Sequence, residues 1–454
     1  MNFHLILLHI LSLLWTSTSP KQTFLKSHLK HPVAAAVPLL EARPFTVVWN
    51  MPTARCEEEY GIHLNLEAFD IIENYHEKFM GQNMTIFYYN RLGLYPYISK
   101  EGKRVNGGVP QRGNLEVHLG KARAQIKNLL SPAFHGLAVI DWEKWRPLWV
   151  RNFGVLKKYR LMSEGLVKKE HPELSRREVL LRARKEFETG ARNFMSQTLK
   201  LGADVRPAGL WGFYGLPGCF NYNKRQLSHN YTGHCHPKTS ERNDRLDWLW
   251  RSSLTLFPSI YLPLPLAGLQ NAALMVRYRV LEALRVASKY SSSSKVMPVL
   301  PYARVAFVHT LRFLTKTDLE HTLGEAAALG AAGVVLWGEL RFAKSKHQCE
   351  MLRDYVAQIL GIYVKSLKSR VQQCSVGLCG GNGRCARRDP HSGHYMHQSK
   401  SCLSSTSQWP LSCNSTYENS QLRSAFRCEC YQGWTGEWCQ ERMPSETDQV
   451  FNEV

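Results

Sequence analysis

Leu137-Ala-Val-Ile-Asp-Trp-Glu143 is an apolar run that ends on two acids. A short apolar run of this kind reads as a buried strand. Side chains two apart on a strand share a face, so Asp141 and Glu143 aim at one spot while Trp142 faces away. Two crowded carboxyls do not both ionise easily, and one of them keeps a proton near neutral pH and can serve as a general acid. Acid chemistry at the mouth of a buried strand is what glycoside hydrolysis requires. Taken alone, an Asp-x-Glu is a common motif and usually marks a solvated edge.

Runs of the same style recur along the chain: Phe45 to Trp49, Met84 to Tyr89, Leu210 to Tyr214, Ser259 to Leu262, Val299 to Val305 and Gly333 to Trp337. Helical periodicity fills the intervals, at Leu174 to Leu201, Asn271 to Ser288, Leu319 to Leu329 and Gln348 to Lys365. Strands alternating with helices predict an α/β fold with a parallel sheet, and seven or eight such units predict a closed, TIM-like barrel. An open doubly wound sheet is the alternative, although no Gly-rich nucleotide loop follows the first strand. In barrels, function gathers at the C-terminal ends of the strands. Here Trp49-Asn50, Tyr88-Tyr89-Asn90, Asp141-Trp142-Glu143, Trp211 to Tyr214, Tyr261 and Trp337 close their runs.

The 454 residues suffice for one barrel-sized domain and a small module. Lys and Arg number 58 against 37 acids, a net charge of +21. A surface that positive attracts a polyanion: nucleic acid, anionic membrane or acidic polysaccharide. No Lys/Arg-rich block of nucleic-acid type stands out, so the excess is spread along the chain. Leu5 to Trp15 is an apolar core of signal-peptide length, too short to span a bilayer. Sequons beginning at Asn83, Asn230 and Asn414, with an even set of 12 cysteines, fit passage through the secretory pathway. Met443 to Val454 is polar and lacks the tail of a GPI signal. These features predict a secreted or lysosomal glycoprotein with neither membrane span nor GPI anchor: signal peptide 1–20, barrel 40–366, C-terminal module 374–440, polar tail 441–454.

Cys56, Cys219, Cys235 and Cys349 are sparse, whereas eight cysteines crowd between Cys374 and Cys439. Cys428-Glu-Cys-Tyr-Gln-Gly-Trp-Thr-Gly-Glu-Trp-Cys439 has the spacing of an EGF-like C-terminal half, with Cys374, Cys379 and Cys385 supplying the front. So small a segment relies on disulfides for want of a core. Its Ser-rich stretch from His391 to Trp409 reads as an inserted loop closed by a Cys402–Cys413 pair. His234-Cys-His236 and Cys428-Glu-Cys430 raise zinc as an alternative, but an oxidising compartment favours disulfides. No cofactor or metal is expected.

Residues beyond the two acids carry a resemblance. Ala138-Val-Ile-Asp-Trp-Glu-Lys-Trp-Arg-Pro-Leu-Trp149 is similar to the active-site strand of the animal hyaluronidases. So, in order, are Met84 to Tyr97, Gly209-Leu-Trp-Gly-Phe-Tyr-Gly215, Pro258-Ser-Ile-Tyr261 and Gly330 to Gly338. The likeness runs from about Phe45 to Cys439. Within the family it is strongest to the vertebrate type-3 branch, through Gly81-Gln-Asn-Met-Thr85 and Cys385-Ala-Arg-Arg-Asp-Pro390.

The resemblance implies a distorted TIM-like barrel with an EGF-like appendage. It implies hydrolysis of the β-1,4 N-acetylhexosaminide bonds of hyaluronan, with chondroitin as a second substrate, by a substrate-assisted retaining mechanism. Glu143 would protonate the leaving oxygen. Asp141 would share a proton, raise the pKa of Glu143 and orient the acetamido group. By the same likeness Tyr214, Tyr261 and Trp337 surround that acetamido group, Arg279 meets the glucuronate carboxylate, and Tyr88 and Asn50 line the cleft. Arg277 and Arg304 read as solvated charges, and Arg146 as a substrate contact or a partner for a neighbouring acid. The implied pairings are Cys56–Cys349, Cys219–Cys235, Cys374–Cys385, Cys379–Cys428 and Cys430–Cys439. One departure stands out: active relatives usually carry Asp-Cys-Tyr-Asn where this chain has Gly218-Cys-Phe-Asn221. A carboxylate and a phenol are missing from the rim. That keeps a second reading open, a hyaluronan-binding glycoprotein with weak or no turnover, whose EGF-like module serves protein contacts.

Overall fold

The computed structural model describes residues 34–73, 78–222, 230–292, 295–396 and 422–443. The segments 1–20 and 444–454, Asn414, Cys402 and Cys413 lie outside them. Parallel pairing orders one set of strands as Ile71–Ile72, Thr46–Asn50, Gly333–Trp337, Tyr302–Ala303, and a second as Met84–Tyr88, Leu137–Asp141, Leu210–Phe213. Single bridges Tyr214–Phe257, Leu256–Val299 and Ser259–Tyr302 carry residues 256–259 between the two sets. The result is one continuous run of parallel segments. Its two ends, Ile72 and Met84, are joined by a side chain instead of a ladder. Buried Glu73 accepts from the Asn83 side-chain amide at 2.8 Å, and its carbonyl accepts from Asn50 Nδ2 at 2.6 Å. Gly81 is required beside it, because a Cβ there would fall 1.4 Å from Glu73 Oε1.

Two of the extended runs shrink relative to the sequence reading. Ser259 to Leu262 makes only the bridge at Ser259, and Val299 to Val305 keeps a ladder only at Tyr302–Ala303. Pro258, Pro298 and Pro301 remove backbone donors on these segments, which prevents a full ladder. Strands Thr46–Asn50, Met84–Tyr88, Leu137–Asp141, Leu210–Phe213 and Gly333–Trp337 bury both faces, as parallel strands between helices do. Val48, Met84, Ile86, Leu137, Val139 and Val335 form one cluster. The alternate residues Val47 and Trp49, or Phe87, Ala138 and Ile140, pack outward against helices.

The long helix Arg176–Val205 starts on a reciprocal cap between Ser175 and Glu178. Helix Gln270–Tyr290 buries Ala272, Val276, Val280 and Ala283. Helical structure from Lys346 continues through a π turn at Val356–Leu360 to Cys379, well past Lys365. Leu367, Val371, Cys374 and Leu378 extend its buried stripe, so no linker separates residue 366 from residue 374. Disulfides join Cys56 to Cys349, Cys219 to Cys235, Cys374 to Cys385, Cys379 to Cys428 and Cys430 to Cys439. His234 packs on Tyr278 at 4.1 Å beside the bonded Cys235. Strands Gly383–Arg387 and Phe426–Cys430 pair antiparallel.

Arg277 is not solvated. It is 3% exposed, and its Nε meets Glu325 Oε1 at 2.7 Å while its Nη atoms donate to the carbonyls of His391 and Ser392. Arg387 grips the same carboxylate through both Nη atoms, at 2.7 and 2.8 Å. This buried Arg–Glu–Arg triad ties the C-terminal hairpin to helix Gln270–Tyr290. Removing the central acid strands two buried guanidiniums. Glu325→Ala should therefore lose about 3–5 kcal/mol, read from urea unfolding midpoints; a change under about 1 kcal/mol would mean that water replaces the carboxylate.

Candidate active site

Period-two alternation explains how one end of the strand run becomes polar. The face that carries Val48, Ile86, Val139 and Val335 emerges one residue pair later at Asn50, Tyr88, Asp141 and Trp337. Ladder register sets Asn50 beside Trp337 and Tyr88 beside Asp141. Tyr214 follows on from Leu210, and its N–H donates to the Ile140 carbonyl at 3.0 Å.

The two acids differ sharply. The Leu137–Asp141 strand ends at Asp141, and Glu143 lies beyond the ladder with its side chain 52% exposed. Trp142 turns the other way, onto Tyr95 at 4.6 Å and Phe213 at 5.5 Å. Burial, reinforced by the negative charge of Glu143, pushes the Asp141 carboxyl up to about 7. Asp141 is thus the acid of the pair that holds its proton near neutral pH. Asp141 sits under the aromatic side chains; Glu143 faces solvent and pairs with Arg146 Nη2 at 3.1 Å.

Aromatic rings enclose the space above Asp141. Tyr214 and Tyr261 lie 6.1 Å apart at 36°, and Tyr261 stacks with Trp337 at 6.1 Å and 18°. Trp337 Nε1 donates to the Tyr88 hydroxyl at 3.4 Å, and Phe79 stacks on the same indole. The Tyr214 hydroxyl donates to Ser259 Oγ at 3.5 Å, and burial raises its pKa to about 12. Burial also raises the phenols of Tyr88 and Tyr261. All three therefore remain neutral hydroxyl groups at physiological pH.

Arg279 reaches this region from helix Gln270–Tyr290. Its Nε donates to Asn221 Oδ1 at 2.9 Å and its Nη1 to the Ser259 carbonyl at 3.0 Å. These two neutral acceptors fix the guanidinium, which makes no ion pair among the described residues. Arg304, read from sequence as solvated, is 5% exposed, pairs with Glu339 at 2.8 Å and lies over the rings of Tyr261 and Trp337. Asn50 is fully buried, its amide committed to Glu73. A cavity of about 240 Å³ opens beside the acids, lined by Glu143, Arg146, Tyr214, Gly218, Phe220 and Arg279 among others. Among the described residues, Glu143 is the sole acid in that lining.

Sequence reasoning missed Phe79, Ser259, Asn221 and the role of Arg304. Ser259 and Asn221 sat inside motifs already singled out; nothing local marks Phe79. Asn83 and Asn230 are both exposed, and Thr85 of the first sequon turns its hydroxyl inward to the Gly81 carbonyl. Among the described residues, no helix is long and apolar enough to cross a membrane.

Residues 34–443 match the hyaluronidase family. The chain is 45% identical over 410 residues to hyaluronidase-3 of Sus scrofa, covering 90% of this chain and 93% of that one. It is 42% identical over 412 residues to hyaluronidase-1 of the same species, covering 89% and 94%. The structure of bee venom hyaluronidase in complex with a hyaluronic acid tetramer superposes with a TM-score of 0.64 at 35% identity, covering 71% of this chain and 98% of that one.

A carboxyl whose folded pKa stands above its unfolded value of about 3.9 contributes its full stability below that value and loses it as pH rises through about 7. Asp141→Asn removes the titration. Between about pH 4 and about pH 8 the variant's urea midpoint should fall less than the parent's; equal slopes would show that Asp141 ionises at no cost.

Proposed function

The chain belongs to the hyaluronidase family of glycoside hydrolases, and from that premise we propose that it cleaves the β-1,4 N-acetylhexosaminide bonds of hyaluronan, with chondroitin as a second substrate. We take the strand run as a distorted barrel, open between Ile72 and Met84, and residues 374–440 as an EGF-like module. Five disulfides among the described residues suit an oxidising compartment. Together with the N-terminal apolar core and the sequons at Asn83, Asn230 and Asn414, they support secretion or delivery to the lysosome.

One observation carries the mechanism: a half-buried, proton-holding carboxyl beside an exposed one, in a cleft that offers no third acid among the described residues lining it. With no enzymic nucleophile facing Glu143, the substrate's acetamido oxygen attacks the anomeric carbon while the glycosidic C–O bond breaks. Glu143, the member of the pair that reaches the cavity, gives its proton to the leaving oxygen. It then takes a proton from the water that opens the cyclic intermediate, so configuration is retained. Asp141 supplies the pair's proton up to about pH 7 and orients the acetamido N–H. Tyr214, Tyr261 and Trp337 wall the acetyl group, with Tyr88 behind them and Asn50 holding the strand ends. Arg279 meets a glucuronate carboxylate, for which a fixed guanidinium is suited.

The substituted rim favours one alternative, a lectin-like hyaluronan binder, because Gly218 and half-exposed Phe220 offer neither carboxylate nor phenol to the cavity. Reducing-end release from purified hyaluronan separates the two. Glu143→Gln should lower the rate by about a thousandfold while leaving hyaluronan binding in place. Parent activity should decline as pH rises through about 7, because the pair then loses its shared proton. A parent inactive at every pH that still binds hyaluronan would establish the binder.

A further inference from the structure

The cavity beside Glu143 has a second wall that hyaluronan cleavage has not yet used. Arg151 closes the short helix Trp149–Arg151, and Arg242 lies in helix Thr239–Asp244. Both line the cavity, together with Gly218 and Phe220. The Arg151 guanidinium lies 4.1 Å from the centre of the Phe220 ring. Among the described residues neither arginine has an ion pair, and three acids nearby are committed elsewhere. Glu188 holds Arg245 at 3.0 Å and accepts from the Trp149 N–H at 2.8 Å. Asp244 holds Arg285 and Lys289, and Glu282 holds Arg285 and Asn243.

We propose that Arg242 and Arg151, the latter over Phe220, form an oxyanion subsite that takes the carboxylate or sulfate group of the glycan residue neighbouring the one cleaved. The proposal rests on the reading of the cleft as a glycan-hydrolysing site and specifies which charge it recognises. Two like charges, half-buried and without a counter-ion among the described residues, are costly to hold together unless an anion fills the space between. Their mutual effect is visible: burial and the charge of Arg242 bring Arg151 down to about 10, where it remains cationic at neutral pH. Planar guanidinium forks match both carboxylate and sulfate. Phe220, 49% exposed, adds an apolar edge for a sugar face.

The parts are held in place. Asn243, next to Arg242, donates to the Gly218 carbonyl at 3.1 Å and to Glu282 at 2.7 Å. Gly218 matters by what it lacks. A Cβ there would stand 3.2 Å from the Phe220 ring edge, so a longer side chain enters the same space with a small shift of that ring. An acid at 218 would supply the missing counter-ion from within the protein and compete with the substrate. The glycine leaves the two arginines to the ligand.

The test measures affinity in the Glu143→Gln background, by calorimetry, for hexasaccharides of hyaluronan, carboxyl-reduced hyaluronan and chondroitin sulfate. Arg151→Gln and Arg242→Gln should each weaken hyaluronan binding by about tenfold, and Gly218→Asp by a similar factor, with no change toward the carboxyl-reduced sugar. A larger loss with chondroitin sulfate than with hyaluronan assigns the sulfate; equal losses assign the carboxylate. Variants that bind hyaluronan as the parent does, or that lose the carboxyl-reduced sugar by the same factor, overturn the subsite alone. A parent that binds none of the three sugars overturns the substrate reading and the subsite with it.

Discussion

Burial of Asp141 at the last rung of its ladder is the constraint on which the site depends. The same alternation that sends Leu137 and Val139 into the strand-run interior leaves Asp141 half-buried at its mouth, where a carboxylate is poorly solvated. The fold answers by letting it keep its proton and by surrounding it with phenols that remain neutral. Glu143 is two residues further on but off the ladder, so it escapes that burial. Two acids with different solvent exposures, the less exposed one holding its proton, follow from a strand ending where it does. Ending one rung later, with both acids on the ladder, would bury two carboxyls together.

Helix Gln270–Tyr290 connects this site to the rest of the molecule. Arg277 and Arg279 are two residues apart, which turns them about 200° around the helix axis. One side holds Glu325 and the carbonyls of His391 and Ser392; the other holds Asn221 and Ser259 at the cleft. The C-terminal hairpin, gripped by Arg387 and Arg277 through one carboxylate, is therefore anchored to the very helix that positions a cleft guanidinium. The helix from Lys346 to Cys379 makes a second connection, since it enters the disulfide cluster without a break. Any displacement of the C-terminal portion must move elements that also shape the site.

Much of this was legible because it obeys a period. Apolar alternation gave the strands whose ladders are complete, and their last residues gave Tyr88, Asp141 and Trp337 a common face. The reading failed where proline interrupts the rule: Pro258, Pro298 and Pro301 leave bridges in place of ladders. It also failed where partners are distant in sequence. Arg277 lies 48 residues from Glu325, and nothing near either residue announces a buried triad. Burial itself is not written locally, so spacing alone leaves open which acid of the pair holds its proton. Spacing of the cysteines likewise left many connectivities open, and only a likeness or a structure can choose among them.

The net charge of +21 looks different once its members are located. Arg206 is spent on the carbonyls of Leu130 and Lys127, Arg384 on those of Pro44 and Ala36, and Arg387 and Arg277 on Glu325. Arg304 is held under two rings by Glu339. These arginines shape the fold and offer little to a polyanion in solution. What a glycan meets is a smaller set whose charge is uncompensated and faces one cavity: Arg279 from one helix, Arg151 and Arg242 from two others. Long-range attraction scales with the total, and screening by salt weakens it. Under the proposed reading, recognition of one anionic group beside the cleaved bond would fall to those few, which among the described residues line the cavity without an ion pair to an acid of the protein's own.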